Sequence, residues 1–208
     1  MKDIQDKEIR KVRLRLIDLI KSFFVGEPDA EKMSRWRGTF SAMMKETVNP
    51  LFDQSVRDIH QYLENHSLSE LQDEYYNLFV DPFAGKQIST DASFYLDGRS
   101  HGKTLVALRT FLAELGIEKM ENVIETEDSL VVMLDVMSRL IDEEQNSEAH
   151  DALRMQGELL EKYLIPLANS LQEACGKNES AAFYQACCRF FKGYLELEKG
   201  LNGAVVSH

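Results

Sequence analysis

Apolar residues recur along most of the chain every three or four positions, the spacing that places side chains on one face of an α-helix. The first such stripe contains Ile9, Val12, Leu16, Leu19, Ile20 and Phe23. Further stripes follow within residues 33–44, 52–63, 68–79, 105–115, 130–141, 153–164 and 183–197. The sequence contains neither the alternating pattern typical of strands nor a repeat. The spacing predicts an all-α fold, a single helical bundle of roughly eight helices.

Short polar residues and breakers indicate where individual helices begin and end. Asn49 followed by Pro50 is a favourable pair for an N-cap and first turn. Ser67 or Ser69 can cap the next helix, and Gly116 is suited to the position just after a helix C-terminus. These residues divide the first half of the chain into separate helices joined by short connections.

Three boundaries are expected in the second half of the chain. Thr126 can cap the helix that follows it, where Glu127 and Asp128 would suit the positive end of the helix dipole. Pro166 is expected to kink or end its helix, because proline lacks the backbone N–H. Gly200 to His208 is expected to be a frayed tail. We expect one all-α domain over residues 1–208, with a hinge near residues 118–128.

The helical period disappears between Val80 and Gly102. Helix breakers concentrate there, namely Asp81-Pro82, Gly85, Asp97-Gly98 and Gly102. A long irregular loop is therefore expected near residues 80–102, and loops of this length are usually functional or disordered. Three aromatic residues, Phe83, Phe94 and Tyr95, indicate that part of the loop packs against the rest of the protein.

Charge and hydropathy narrow the range of partners. The 208 residues carry 24 Lys and Arg against 35 Asp and Glu, a formal net charge of −11. This balance opposes general binding to nucleic acid and to anionic lipid surfaces, and it leaves a basic peptide as a compatible partner. No apolar run is long enough to insert into a membrane, and the charged N-terminus lacks the core of a secretory signal.

The cysteine content favours a reducing compartment. The chain has three cysteines, Cys175, Cys187 and Cys188, which is an odd number with two of them adjacent. Such a set is not a disulfide framework, so reduced thiols on helices and a cytoplasmic location are expected.

Catalytic and metal-binding patterns are not found in the sequence. The segment Gly98-Arg-Ser-His-Gly102-Lys103-Thr104 approaches a phosphate-binding P-loop, but three residues rather than four separate the first Gly from Gly-Lys-Thr, and no strand precedes it. A Gly-rich start of the helix near Lys103 is the better interpretation. The histidines and cysteines lack metal-ligand spacing. We expect no catalytic residue, no bound metal, no cofactor and no enzyme activity.

Two segments resemble a known family. Tyr75-Tyr-Asn-Leu78-Phe79-Val-Asp81-Pro82-Phe83 is similar to the aromatic-x-x-Leu-Phe segment, followed by a turn with Pro and an aromatic residue, of the TorD/DmsD/NarJ redox-enzyme maturation chaperones. Glu125-Thr126-Glu127-Asp128-Ser129 resembles that family's Glu-Pro-x-Asp-His signature, with Thr126 replacing Pro and Ser129 replacing His. Residues 94–97, 104–109, 115–117, 163–166 and 183–184 are also similar, so the resemblance runs from about residue 70 to 198.

The resemblance implies a cytoplasmic chaperone without catalytic activity. Members of this family bind the N-terminal, often twin-arginine, signal of a molybdenum enzyme, or its apo-form. They hold it while the molybdopterin cofactor is inserted, before export. The implied partner is therefore the precursor of a molybdoenzyme catalytic subunit or its signal peptide, and both a monomer and a homodimer are compatible with the sequence.

A signal peptide offers a basic pair followed by an apolar helix, so its receptor needs an apolar groove with carboxylates at the rim. The expected groove residues come from the first segment and from two later positions: Tyr75, Leu78, Phe79, Phe83, Tyr95, Met133 and Leu134. The carboxylates expected to meet the arginines are Glu125, Glu127 and Asp128. Asp81, Pro82 and Ser129 complete the predicted peptide-binding set.

The same residues also allow a structural interpretation. Leu78, Phe79, Met133 and Leu134 lie on helical stripes and can belong to the core, while Glu127 and Asp128 can simply cap a helix. Two other functions stay open. The main one is a general helical protein–protein adaptor without a molybdoenzyme client, and the second is a small helical enzyme with an unrecognised carboxylate site.

Overall fold

The structure is a computed structural model that describes residues 2–83, 87–119, 124–144 and 149–206. Its helices are α1 Lys2–Phe24, α2 Ala30–Met43, α3 Pro50–Asn65, α4 Leu68–Tyr75, α5 Ala92–Leu96, α6 Lys103–Glu114, α7 Leu130–Glu143, α8 Ala149–Leu159, α9 Ile165–Gly176 and α10 Ala182–Val206. Two π-helical turns, π1 Tyr76–Val80 and π2 Leu160–Leu164, extend α4 and join α8 to α9. Within these residues the extended pairing is a single bridge between Asp91 and Ser129, so the all-α prediction is confirmed.

Local side chains cap α3 and α4 as the sequence predicts. The side chain of Asn49 accepts a hydrogen bond from the Phe52 amide at 2.8 Å, with Pro50 in the first turn. Of the two serines considered for α4, Ser67 is the cap. It forms a capping box with Glu70, in which each side chain accepts from the other residue's backbone N–H.

The predicted cap of α7 is wrong by three residues. Ser129, not Thr126, is the N-cap, and its hydroxyl accepts from the Val132 amide at 3.4 Å. Thr126 lies in the preceding turn, where its carbonyl accepts from the Ser129 amide at 3.0 Å. The apolar stripe of α7 begins at Leu130, and the residue directly before a stripe is the better cap candidate.

Pro166 does not end its helix. The chain turns through π2 directly before the proline, and the Ile165 amide donates to the Leu160 carbonyl in the wider π pattern. Proline is tolerated within the first turn of a helical segment, where the missing N–H costs little. The expected frayed tail is also wrong in part, because α10 continues to Val206, while residues 207–208 lie outside the described residues.

The segment expected to be one long loop contains a short helix. The helix α5 (Ala92–Leu96) interrupts the region of residues 80–102, and Gly85 lies outside the described residues. Its five residues are too short to show a helical period in the sequence. The rest of the region is irregular, as the breakers indicate.

The chain divides into two compact units. The first unit comprises Met1–Lys21, Thr90–Leu167 and Leu201–His208, and the second comprises Ser22–Ser89 and Ala168–Gly200. The prediction of one domain over residues 1–208 with a hinge near residues 118–128 stays a prediction, and residues 120–123 lie outside the described part of the chain.

The core of the second unit is aromatic. The ring of Phe23 lies 5.3–6.2 Å, centroid to centroid, from those of Trp36, Phe40, Phe183 and Phe190. All five side chains are fully buried. Edge-to-face and offset contacts of this kind add to the free energy gained by burying apolar area.

Close approach of two helices in the second unit requires a glycine. A Cβ at Gly193 of α10 would lie 2.9 Å from the Cα of Phe52 in α3. The two backbones meet at a distance that a larger residue would not allow.

The first unit is built around α7. Its buried residues include Met133, Leu134, Met137, Leu140 and Ile141. A buried polar group completes this core, because Gln156 accepts from Arg13 at 2.7 Å and donates to the Leu140 carbonyl at 3.1 Å. None of the described helices is both long enough and apolar enough to cross a membrane.

Candidate functional site

The π turn π1 determines which residues of the first family segment point inward. The Asp81 amide donates to the Tyr76 carbonyl at 2.8 Å, five residues back, which widens the last turn of the helix. Leu78 is fully buried, Phe79 is half-buried, and Tyr76 and Val80 are exposed. The predicted groove residue Leu78 is therefore a core residue in this structure.

Tyr75 and Phe79 use one side of their rings for internal packing. The ring of Phe79 lies 4.8 Å from that of Tyr184, 5.2 Å from that of Tyr75 and 6.2 Å from that of Phe24. Both Tyr75 and Phe79 are half-buried, so each keeps part of its surface toward solvent. These contacts fix the orientation of the segment against the second unit's own core.

An exposed set of three apolar residues follows from this geometry, which we call the apolar strip: Tyr76, Val80 and Phe83. Their exposed fractions are 53%, 45% and 93%. The turn that carries Phe83 is held by its own amide, which donates to Asp81 Oδ1 at 2.9 Å, and the intervening Pro82 is exposed. Within eight residues of the chain, this segment therefore exposes three apolar side chains to solvent.

Tyr76 and Val80 were not among the predicted site residues. Tyr76 stands at an unspecified position of the aromatic-x-x-Leu-Phe segment and Val80 directly follows that segment, and a regular α-helical period gives no reason to separate them from their neighbours. The signal that could have found them is the placement of three apolar residues, 76, 80 and 83, with acidic Asp73 and Asp81 beside them.

A buried carboxylate lies on the same helix, one residue before the family segment. Glu74 accepts hydrogen bonds from the Tyr62 hydroxyl at 3.0 Å and from the Tyr184 amide at 2.9 Å, in the first turn of α10. Burial raises the pKa of Glu74 to about 7, although these hydrogen bonds favour the ionised form and act in the opposite direction. Glu74 thereby fixes α4 to the N-terminus of α10.

In the first unit, the second family segment pairs with the residues before α5. The Ala92 amide donates to the Asp128 carbonyl at 2.9 Å, and the Leu130 amide donates to the Thr90 carbonyl at 2.9 Å. The Asp128 side chain accepts from the Ser93 amide at 2.8 Å. Asp128 therefore caps α5, whose own N-cap residue, Asp91, makes no side-chain capping bond.

Three predicted site residues in this segment or in the helix α7 that follows it are interior. Asp128 and Met133 are fully buried, and Ser129 is 3% exposed. Leu134, also expected in the groove, is fully buried too. Their direct contact with a peptide stays a prediction, while the contacts present here position α5 and α7.

The remaining predicted residues of the first unit reach solvent. Glu125 is exposed, and its carbonyl accepts from Lys119 at 2.8 Å. Tyr95 is half-buried beside the exposed Phe94, with ring centroids 5.0 Å apart. Glu127 pairs with Arg109 at 3.0 Å, and this contact holds the pKa of Glu127 below its ordinary value.

The near P-loop segment is the start of α6. Oδ2 of Asp97 accepts from the Thr104 amide at 2.7 Å and so fills the helix N-terminus with a carboxylate. A Cβ at Gly102 would lie 2.3 Å from the same oxygen, which explains the glycine. An anion such as phosphate would compete with Asp97 for this position, so the structure agrees with a Gly-rich helix start.

The cysteines and histidines form no recognisable reactive centre in the part of the chain described. All three cysteines are free and buried, with 3.5 Å between Sγ of Cys175 and Sγ of Cys188. Burial raises the pKa of the Cys187 thiol, which keeps it protonated. Among the described residues, no three His, Cys, Asp or Glu side chains are grouped as metal ligands. The side chains of His150 and His208 lie outside this description.

Comparison with known proteins points to one family. A family model described as the nitrate reductase delta subunit matches residues 47–173. A crystal structure described as that of a candidate redox enzyme maturation protein from Archaeoglobus fulgidus has a similar fold, with a TM-score of 0.50 and 20% sequence identity. That similarity covers 88% of this chain and 93% of the other. No curated protein sequence matches significantly.

Proposed function

Because the chain belongs to the nitrate reductase delta subunit family, whose members are maturation chaperones and not catalysts, we propose that it prepares a molybdenum-dependent oxidoreductase for export. It binds the N-terminal, twin-arginine signal or the apo-form of the catalytic subunit and holds it in the cytoplasm until the cofactor is inserted. The observation that carries this proposal is the family match over residues 47–173, which include both the apolar strip and the segment Glu125–Ser129. The proposed partner is the enzyme precursor.

The apolar strip supplies the contact for the apolar part of the signal. Burial of a fully exposed Phe side chain contributes about 1.5–3 kcal/mol, and Phe83 is 93% exposed in the free protein. Tyr76 and Val80 extend that surface along the helix, so an apolar helical segment laid across them would lose contact with water on one face. Tyr75 and Phe79 of the same segment are half-buried, so each also keeps part of its ring exposed.

Carboxylates supply the attraction for the basic part of the signal. Asp73 is exposed one turn before Tyr76, and Asp81 follows directly after Val80. The formal net charge of −11 attracts a cationic segment over longer distances and mainly raises the rate of association.

The proposal is tested by titrating a synthetic twin-arginine signal peptide into the full chain and measuring heat. We expect binding, and we expect Phe83→Ser and Val80→Ser each to weaken it about tenfold or more, because each removes apolar contact area. Val12→Ser is the matched control, since Val12 of α1 is exposed to a similar degree, 51%, and lies outside the strip. Equal affinity of all three variants would contradict the role of the strip.

A second peptide separates this function from that of a general adaptor. Replacing both arginines of the signal peptide with glutamine should weaken binding strongly if carboxylates recognise the basic pair. An adaptor that recognises only apolar helices would bind both peptides equally well, and that result would overturn the proposed function.

A further inference from the structure

Two of the three buried cysteines of the second unit meet between α9 and α10. Sγ of Cys175, in the last turn of α9, lies 3.5 Å from Sγ of Cys188, in the second turn of α10, and either thiol is able to donate to the other. Both side chains are fully buried. A disulfide places its sulfur atoms about 2 Å apart, so these two sulfurs need to approach each other by about 1.5 Å to form one.

The adjacent Cys187 is buried to the same degree but leaves α10 in another direction. Successive side chains of an α-helix point about 100° apart, and the sulfur contact described for Cys175 is with Cys188. Burial is the main cause of the raised pKa of Cys187, followed by the carboxylate of Glu74 and only then by Cys175. A link to Cys175 is therefore expected at Cys188 and not at its neighbour.

The C-terminal end of α9 gives a small oxidant access to Cys175. Gly176, directly after it, is exposed, as is most of the connection 177–180 that leads to α10. The Cys175 carbonyl is held by the side chain of Gln185, which donates to it at 3.1 Å. Helix ends open locally at a low cost in free energy, so the last turn of α9 exposes this sulfur from time to time. Cys188 lies a full turn inside α10 and stays covered.

We propose that Cys175 and Cys188 are a redox pair, in which Cys175 reacts with a peroxide and Cys188 completes an intrachain disulfide. In the first step the Cys175 sulfur attacks one oxygen of hydrogen peroxide. The O–O bond breaks, the other oxygen leaves as water with the thiol proton, and Cys175 becomes a sulfenic acid. In the second step the Cys188 sulfur attacks that sulfur, the S–O bond breaks, and hydroxide leaves as a second water with the Cys188 proton. The two sulfurs give up two electrons, and the peroxide takes them.

The pair is reduced at rest and responds only to an oxidant. The hydrogen bond with Cys175 and burial raise the pKa of the Cys188 thiol, so it is protonated at neutral pH and reacts slowly by itself. Small thiols reverse the bond by exchange. Cys188 lies one turn after Tyr184, whose ring is 4.8 Å from that of Phe79, so the bond restrains the helix against which the first family segment packs. The inference does not depend on the proposed function.

The test treats the full chain with hydrogen peroxide under native conditions, blocks the remaining thiols and maps tryptic peptides by mass spectrometry. Trypsin places Cys175 in peptide 163–177 and both Cys187 and Cys188 in peptide 178–189. We expect these two peptides to be linked in wild type and to separate on addition of dithiothreitol. This result needs no substitution, so it does not depend on whether a variant folds.

Three variants assign the sulfurs. The link should be lost from Cys175→Ser and Cys188→Ser and retained by Cys187→Ser, the matched control, because Cys187 is adjacent to Cys188 and equally buried. Dimedone, which traps sulfenic acids, should label Cys175 in the Cys188→Ser variant and leave Cys188 unlabelled in the Cys175→Ser variant.

Four results would overturn the inference. They are no link in treated wild type, a disulfide confined to peptide 178–189, a link that survives Cys188→Ser, and a dimedone label on Cys188 in place of Cys175. Circular dichroism is recorded on each treated sample. A link that forms only in chains that have lost their helicity would equally contradict a pair that is set up by the fold.

Discussion

At the scale of single residues, the buried carboxylate of Glu74 makes the stability of the second unit depend on pH. Its pKa is about 7 in the folded protein and about 4.3 in an unfolded chain. The folded state therefore binds the proton more tightly than the unfolded state does. This contribution to stability is complete below about pH 4.3 and is lost as the pH rises toward 7.

We expect Glu74→Gln to remove this dependence. Glutamine keeps an oxygen that can accept from the Tyr184 amide, but it has no charge to bury. Relative to wild type, the variant should become more stable between pH 5 and pH 8, by at most about 1.4 kcal/mol per pH unit. Urea unfolding at each pH measures the difference.

Glu70→Gln on the same helix is the control for this experiment. Its hydrogen bonds with Ser67 lower the pKa of Glu70, so it titrates below the range tested. The difference from wild type should stay constant between pH 5 and pH 8 for Glu70→Gln. A constant difference for Glu74→Gln as well would show that Glu74 is already ionised at pH 5.

Asp128 is a second residue whose role depends on burial. Removing its carboxylate in Asp128→Ala leaves the Ser93 amide without an acceptor, which we expect to cost about 1–3 kcal/mol of unfolding free energy. Asp128→Asn retains a side-chain oxygen and should cost less. Full stability of Asp128→Ala together with weakened peptide binding would instead indicate direct contact between Asp128 and the client.

At the scale of helices, caps that come from neighbouring residues were predictable and those from distant residues were not. Asn49 and Ser67 cap helices that begin directly after them, so the sequence shows both partners within four positions. The cap of α5 is Asp128, which is 35 residues away from Ser93. No local pattern indicates such a contact, and the short helix α5 was missed with it.

Gly102, at the start of α6, has no room for a larger residue because the side chain of Asp97 lies against it, and a substitution tests this directly. Gly102→Ala would place Cβ 2.3 Å from Oδ2 of Asp97, which must move and release the Thr104 amide. We expect a loss of about 1–3 kcal/mol of unfolding free energy, measured by urea titration.

Gly38→Ala is the matched control for this substitution. Gly38 lies within α2, and nothing is found within 4 Å of the position of its Cβ. Alanine should stabilise this helix by about 0.5–1 kcal/mol. If Gly102→Ala is also neutral or stabilising, Asp97 does not hold the start of α6 in solution.

The two π turns explain why the candidate site could be predicted only in part. The segment from Tyr75 to Phe83 was found by its resemblance to a family. The expectation that Phe83 helps to pack the loop against the rest of the protein is wrong, because its side chain is 93% exposed. Tyr76 and Val80 were missed because π1 departs from the regular helical period that sequence patterns assume. The second π turn, π2, is a similar departure from the regular period. It ends two residues before Pro166, and the chain is helical again from Ile165 onward.

At the scale of the whole molecule, the predicted site residues come from both compact units. Residues 75–83 belong to the second unit, and Tyr95 with residues 125–133 belongs to the first. The second unit presents the apolar strip, and the first presents the carboxylates Glu125 and Glu127. The hydropathy pattern alone gives no reason to assign these two segments to one function, whereas both of them carry the resemblance to the family.

The most direct test of the proposed chaperone function is the identity of the protein that this chain holds in the cell. We would recover the tagged chain from cells of the source organism grown without oxygen and identify bound proteins by mass spectrometry. We expect to recover one molybdoenzyme precursor, with its N-terminal signal intact, that is lost from Phe83→Ser and retained by Val12→Ser. Recovery of unrelated folded proteins, with no such precursor, would contradict it.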